Sequence, residues 1–383
     1  MGEDDMSESK PIGGRILTRP FLIFAGLTAI AVVLIIKRFI YGLGSVTGIS
    51  DGYPWGIWIA YDVVTGTAFA CGGYAMALLV YIFNKREFHP LVRPALMASM
   101  FGYTLAGISI FFDVGRYWHA YNLFLPWFSQ LNSVMFEVAL CVSLYIFVLW
   151  LEFSPTFMEW VDARGLRKTV NKLMFIFIAV GVLLPTMHQS SLGTLMVIAG
   201  RKVSPLWQTG WIPLFALISA LAMGYAIVIF ESIVSAMVLK RRMETPILAK
   251  LSGMIPWLAG IYLIVRFGDI LYRGQLGLAF KGDLKGLMFI VENILFAVPL
   301  VLLSSPANRV RPKMLFLAAV SLLLAGSLYR FDLFLIGFDP GPGWRYFPTF
   351  SEIMITVGII SAEIWAYMLF VKKLPVLPSA EHA

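Results

Sequence analysis

The sequence predicts an all-α protein that crosses a membrane about ten times, and three observations carry that prediction. Apolar residues make up 59% of the 383-residue chain and charged residues only 14%, against roughly 25% charged in a soluble domain. The apolar residues are gathered into windows of about 17 residues or longer, long enough for helices that span a hydrocarbon core of roughly 30 Å. Lys and Arg collect in alternate loops, about twice as many on one side as on the other.

In chain order the expected helices are 20–43, 55–83, 92–113, 131–153, 172–188, 211–238, 250–272, 285–304, 314–336 and 351–374. The first ten residues, MGEDDMSESK, are acidic and polar, and no small-residue cleavage site follows the first apolar run. That run is therefore expected to stay as a helix rather than leave as a signal peptide. The Lys and Arg bias and the even number of spans both place the two termini in the cytoplasm. Residues 1–383 are read as one integral membrane domain in the lipid bilayer, with cytoplasmic tails at 1–19 and 375–383. The net charge of +8 follows from the basic inner loops and does not point to nucleic acid. The outer loops, DVGRYWHAYNLFLPWFSQ, GRKVSPLWQTGW and GFDPGPGWRYFPTF, are aromatic. They suit a membrane interface and also a docked protein partner.

The chain partly echoes itself about 150 residues on. GYAMALLVYIF at 73–83 is followed by GYAIVIF at 224–230, and VMFE at 134–137 by LMFIVE at 287–292. The echo suggests two parallel four-helix units, helices 2–5 and 6–9, with one flanking helix at each end; a four-helix repeat preserves orientation.

Charged residues inside the windows are the most informative. Asp62, Asp113, Glu137, Glu231, Arg266, Asp269, Glu292, Arg330, Asp332 and Glu363 all fall in or at the ends of apolar runs. Each costs about 2.5–3.5 kcal/mol at a helix centre on insertion scales, so these groups must pair, face the bundle interior or line water. Asp113 with Arg116, and Arg266 with Asp269, are three apart and can pair on one helix face. Glu137 and Asp62 have no basic neighbour on their own helices, which suits proton transfer.

The cofactor inventory is short. The chain has two Cys, too few for an iron–sulfur cluster, and four His, of which only His188 is expected at membrane depth. The expectation is therefore no haem, no iron–sulfur cluster and no metal site in this chain. What remains is an ion or a lipophilic substrate. A quinone needs hydrogen bonds to two carbonyl oxygens and protons on reduction. The stretch LLPTMHQSSLG, residues 183–193, offers a helix-breaking Pro185 and the polar groups of His188, Gln189, Ser190 and Ser191. The reading that these groups only cap a helix end stays open.

At these residues the chain resembles the NrfD/PsrC-type membrane subunits, and among them those of hydrogenase-2-type nickel–iron hydrogenases. The likeness rests on KRFIYGLGSVTG, YPWGIWIAYD, FACGGYA, FHPLVRPALMASMFGY, DVGRYW, NSVMFE, LLPTMHQSSLG, PLWQ, VIFES, VRFGD, LAFKGD and YFPTFSE, spread over almost the whole chain. It implies a subunit of the bacterial inner membrane that anchors a periplasmic unit. Its partners would be an iron–sulfur electron-transfer subunit and the large and small subunits of a hydrogenase. It would pass electrons to a quinone, with menaquinone the usual one, and could also move protons. The positions it carries over are Asp62, Arg93, Tyr103, Glu137, His188, Glu231 and Arg266. Of these, Glu137, Asp62, Tyr103, Glu231, Arg93 and Arg266 are candidates for proton transfer. Quinone is expected near the outer face at His188 and Gln189, with Asp113, Arg116 and Gln130 as further contacts. The competing readings are the equivalent subunit of a polysulfide or molybdenum oxidoreductase, a membrane anchor with no redox part, and an ion transporter.

Overall fold

Water is absent at membrane depth, so backbone groups must pair within their own segment, and uninterrupted apolar runs become helices. The computed structural model describes residues 11–377; the outermost parts of both expected tails, 1–10 and 378–383, lie outside the described residues. Among the described residues ten helices are long and apolar enough to cross a membrane: α1 Arg19–Tyr41, α2 Trp58–Ile82, α3 Arg86–Asp113, α4 Val134–Trp160, α5 Arg164–Lys202, α6 Ile212–Val238, α7 Thr245–Tyr272, α8 Leu284–Ser304, α9 Pro312–Ile336 and α10 Phe350–Lys373. The protein is all-α and multi-pass. Residues before α1 meet the last turn of α10 on one face of the bundle, where Ile12 N–H bonds to Val371 O and Gly13 N–H to Lys372 O. That face is called the terminal face here, and the opposite one the far face.

Seven helices lie within about five residues of expectation at both ends; α3 starts six residues early, α4 ends seven residues late, at Trp160, and α5 differs most. Its expected end at 188 is wrong, because the α-helix runs on to Ala199. Pro185 sits inside it and costs one backbone bond without ending it. The polar side chains turn back onto the helix: Thr186 donates to Val182 O, Ser190 to Thr186 O and Thr194 to Ser190 O. Such bonds satisfy the hydroxyls internally, so a polar cluster can continue as helix in lipid.

Helices α2, α3, α4 and α5 pack in sequence, and α5 returns to α2. Helices α6, α7, α8 and α9 do the same, with α9 returning to α6. The two sets meet where α6 packs on α2 and α5. Small residues make that meeting close. A Cβ on Gly224 of α6 would lie 2.5 Å from Cys71 O and 2.9 Å from Ala75 Cβ, which is backbone-to-backbone contact.

Helix α1 packs along α10. A Cβ on Gly358 would fall 2.0 Å from Ala31 Cβ, so only glycine allows this crossing. Gly358→Val should therefore lower the thermal midpoint of the solubilised protein, by the equivalent of about 1–3 kcal/mol. Gly26→Ala, where nothing lies within 4 Å, is the control; equal midpoints for the two variants would show that α1 yields without cost.

The far-face start of α10 is fixed by a reciprocal cap. Thr349 Oγ1 accepts from Glu352 N–H, and Glu352 Oε2 accepts from Thr349 N–H at 2.7 Å. The same carboxylate accepts from Gly48 N–H at 2.9 Å and from Tyr346 OH at 2.8 Å. Burial, and then the Glu352 charge, hold the Tyr346 phenol above its ordinary pKa. It therefore stays a neutral donor while accepting from Ile57 N–H at 2.7 Å. This ties the entries of α2 and α10 together.

Candidate functional site

The continuation of α5 carries His188 into the protein core, where it is fully buried. It lies 11 residues before Ala199, so about 16 Å along the helix from that end. Its Nδ1 faces Leu184 O at 2.9 Å. A carbonyl only accepts, so Nδ1 carries the proton and Nε2 is the acceptor. Nε2 then receives Tyr103 OH at 3.0 Å and the Gln189 amide at 3.2 Å. The Tyr103 ring packs edge-on against Tyr145, centroids 4.5 Å apart, and against the imidazole at 5.4 Å. Cys71 Sγ, 3.5 Å from Tyr103 OH, donates to Thr67 O, and Thr67 Oγ1 accepts from Gln189. His188 is held as a neutral imidazole in a network drawn from α2, α3 and α5.

Arg330 of α9 joins this network from the other side. Its Nη2 donates to Gln189 Oε1 and to Ala216 O, its Nε to Val64 O at 3.0 Å, and its Nη1 to Gly326 O at 3.0 Å and Ser219 Oγ. It is 2% exposed, and none of these partners is a carboxylate. Carbonyl dipoles from α2, α6 and α9 take the place of a counter-ion.

A second polar centre lies among α7, α8 and α9. Arg266 Nη2 stands 3.6 Å from Glu292 Oε1, with the guanidinium over the Phe289 ring at 5.0 Å and the Phe215 ring at 5.4 Å. Glu292 also accepts from Trp207 Nε1 at 2.7 Å and Tyr262 OH at 3.0 Å. The expected pairing of Arg266 with Asp269 is therefore corrected. Asp269 binds Arg273 at 2.6 Å and Thr209 at 2.8 Å; the carboxylate across the helix interface outcompetes the neighbour three residues on. Asp113 likewise does not pair with Arg116. The charge that opposes it comes from Arg38 of α1, whose guanidinium donates to Phe112 O and Val114 O at 2.8 and 2.6 Å.

Between α1 and α10 on one side and α2, α3 and α6 on the other lies a cavity of about 530 Å³. Its walls are apolar apart from a few groups, among them Asp62, Glu231 and Glu363. Asp62, in the first turns of α2 near the far face, accepts from Thr356 Oγ1 at 3.1 Å. The helix there is widened into π geometry over Trp58–Thr65, a local form frequent at functional sites. The cavity wall includes Gly102, one residue from Tyr103, and Ala70, one residue from Cys71. The cavity and the His188 network thus share a partition one backbone thick.

The predicted residues separate into groups. His188, Gln189 and Tyr103 come together in the core, whereas Arg116 and Gln130 are exposed on the far face with Asp113 half-buried beside them. Tyr103 and Asp113 are ten residues apart on α3, about 15 Å, so a single shallow pocket does not join the two sets. Asp62 and Glu231 share the cavity. Glu137, half-buried in the first turn of α4, heads a stripe with Cys141 and Tyr145 at i+4 and i+8 that reaches the His188 network. Arg93 sits at the terminal face, where it binds Glu159 at 3.0 Å and Pro375 O at 3.1 Å. Arg266 belongs to the second centre. Sequence reasoning missed Glu152, whose Oε1 is buried without a partner against Gly181. The signal was available: Glu152 follows Tyr145 by seven residues and precedes Glu159 by seven, all on one face of α4.

A ten-helix membrane domain with buried polar centres is that of an integral membrane protein that handles charge inside the bundle. The chain belongs to the NrfD family, whose model, "Polysulphide reductase, NrfD", matches residues 45–338, and it is a subunit of a membrane oxidoreductase complex. It is 47% identical over 374 residues to the "Probable Ni/Fe-hydrogenase 2 b-type cytochrome subunit" of Escherichia coli (strain K12), covering 97% of this chain and 95% of the relative. A protein of Nitratidesulfovibrio vulgaris (strain Hildenborough) is 32% identical, covering 94% of this chain and 95% of the relative. From the same organism, the "Menaquinone reductase, integral membrane subunit" is 26% identical, covering 88% and 86%.

The first of these names corrects the cofactor expectation. A b-type cytochrome subunit implies haem, so the reading of a haem-free chain drawn from the His count does not stand. The residues described here do not present a haem ligand pair: His188 has both ring nitrogens engaged within the chain, and His119 is exposed in the loop after α3. No step below is routed through haem.

Proposed function

We propose that this chain is the quinone-reactive membrane subunit of a hydrogenase in the bacterial inner membrane, with both termini cytoplasmic. A periplasmic iron–sulfur protein and the hydrogenase subunits would dock on the far face. The observation that supports this reading is the cavity, whose mostly apolar lining and volume of about 530 Å³ suit an apolar molecule and which includes the Asp62 carboxyl near the far face. A donor docked on that face stands within a short electron-transfer distance of it. The relative named for a menaquinone reductase supports menaquinone as the substrate, and the relative named for hydrogenase 2 favours hydrogen as the reductant over polysulfide chemistry.

The reaction balances simply. Hydrogen gives two electrons and two protons at the docked unit; quinone takes two electrons and two protons to become quinol. In this chain Asp62 is the group that meets the quinone head and hands over a proton. The His188–Tyr103 network behind the partition fixes the wall, and Glu137 with its α4 stripe is a second proton-conducting element. The outward position first expected for the head at His188 moves to Asp62, because His188 is packed on every side.

The test compares two activities of the purified complex. Removing this subunit should abolish hydrogen-to-menaquinone turnover and leave hydrogen oxidation with a soluble dye intact; loss of neither refutes the assignment. Glu137→Gln keeps shape and hydrogen bonding but cannot titrate. It should assemble, keep dye-linked activity and lose most quinone-linked turnover or its coupling to membrane potential. Normal turnover with a normal potential in proteoliposomes would make Glu137 a structural carboxyl.

A further inference from the structure

Helix α10 lies outside the two helix sets that hold the polar centres, yet it carries a polar stripe along its cavity side. Thr356, Glu363 and Tyr367 are spaced i, i+7 and i+11, which is one face of a helix. Thr356 is bonded to Asp62. Glu363 and Tyr367 line the cavity together with Glu231 and Ser235 of α6. Glu363 lies two turns, about 10 Å, from Thr356 toward the terminal face, and Tyr367 one turn, about 6 Å, further. Glu231 lines the large cavity with both Glu363 and Tyr367, and the smaller one with Tyr367. Gly102 leaves the space that Glu363 occupies: a Cβ there would come within 3.2 Å of Glu363 Oε1 and 2.7 Å of Ala70 Cβ.

The cavity continues toward the terminal face. A smaller cavity of about 40 Å³ is lined by Glu231, Ser235 and Tyr367, which also line the large one, and by Arg241, Arg242 and Glu244 from the loop after α6. Glu231, shared by the two cavities, and then Glu363 and Asp62 in the large one make a ladder of acids from the terminal face toward the far face.

Resting on the reading of this chain as quinone-reactive, we propose that Glu363 is the proton relay between Glu231 and Asp62, so that quinone draws its protons from the terminal face through the α6–α10 cavity. The steps conserve protons. Asp62 gives one proton to the two-electron-reduced quinone and becomes a carboxylate. Glu363 reprotonates it through water in the cavity, Glu231 restores Glu363, and Glu231 is refilled from the loop-lined opening. The cycle runs twice for each quinone, with electrons from hydrogen arriving from the far face. Glu363 lies about 10 Å along α10 from Thr356, the hydrogen-bond partner of Asp62, so the transfer between the two acids runs through water in the cavity rather than directly.

The experiment uses the complete complex in liposomes containing menaquinone, with Glu363→Gln, Glu363→Asp and Glu152→Gln compared to wild type. Glu363→Gln should keep hydrogen oxidation with dye and lose at least about tenfold in quinone-linked turnover, the lower range of a proton-transfer contribution. Glu363→Asp keeps the acid with a shorter reach; it should recover part of the rate and show a larger solvent deuterium isotope effect than wild type, which a packing role would not produce. Should Glu363→Gln not assemble, the isotope effect of Glu363→Asp decides. Wild-type turnover and potential in Glu363→Gln, an unchanged isotope effect in Glu363→Asp, or slowing by Glu152→Gln alone overturns the relay. A wild-type complex that oxidises hydrogen with dye but reduces no menaquinone removes the quinone-reactive reading itself, and the relay with it.

Discussion

Asp62→Asn should reduce hydrogen-to-quinone turnover by about 10²-fold or more, while dye-linked hydrogen oxidation stays within a factor of two or so of wild type. The amide is the same size as the carboxyl and can still receive the Thr356 hydroxyl, so the helix entry and its π segment are preserved. What is lost is the proton. Asp62 is the acid at the far-face end of the cavity, and Thr356 is its hydrogen-bond partner. Lys372, in the last turn of α10, lines the cavity at the terminal-face end. Stopped-flow reduction of menaquinone by the hydrogen-reduced complex separates electron arrival from protonation. In the variant, electrons should still load the partner's centres at the normal rate, with quinol formation lagging. Normal quinol formation would move the protonation site away from Asp62.

The second large effect is on stability. Arg330→Met fills a similar volume but removes donors to Val64 O, Ala216 O, Gly326 O, Ser219 and Gln189 at once. These carbonyls belong to α2, α6 and α9, and Gln189 to α5. Leaving a buried neutral acceptor without its donor costs about 1–3 kcal/mol, and several acceptors lose the guanidinium at once. Gln189 is also freed to rotate away from His188. The expected result is a sharp fall in the yield of assembled subunit and in its thermal midpoint. Arg330→Lys should recover only part of it, since an ammonium has three donors in place of the guanidinium's five. A midpoint within a degree or two of wild type for Arg330→Met would show that waters satisfy those carbonyls.

Much of the fold could be read from hydropathy, because lipid enforces helix on every apolar run. The failure at 189–199 has a physical origin. A Pro followed by His, Gln and two Ser looks like a helix end in any sequence. In the folded chain Ser190 and Thr194 satisfy themselves on their own helix, while His188 and Gln189 find partners on α2, α3 and α9. Those partners are far away in sequence; Tyr103 is 85 residues from His188. The buried acids were visible individually as costly groups in apolar windows. Their grouping was not, since Asp62, Glu231 and Glu363 lie on three helices brought together only by packing. Glu152 fell inside the expected window but one residue from its end at 153, where a carboxyl looks like an interfacial group; α4 in fact continues to Trp160, which places it two turns inside the helix. The i+3 pairings failed for the opposite reason: local spacing permits a contact, but a better partner on a neighbouring helix, Glu292 for Arg266, takes it.

The close meeting of α2 and α6 at Gly224 bears on what kind of machine this can be. Transporters built from two helix sets expose a central site to each side in turn by rocking one set against the other. Here the two sets touch through bare backbone, with the space for a Cβ at Gly224 already taken by Cys71 O and Ala75, and a hinge needs an interface that can slide or part. Cargo that requires an alternating gate is therefore a poor fit. Protons and electrons need no gate of that size; they pass by side-chain rotation, water reorientation and tunnelling through a frame that stays still. In such a rigid conductor the direction of flow is set by the redox poise at either end, so on the quinone-reactive reading proposed above the chain would need no change of shape to run in either direction.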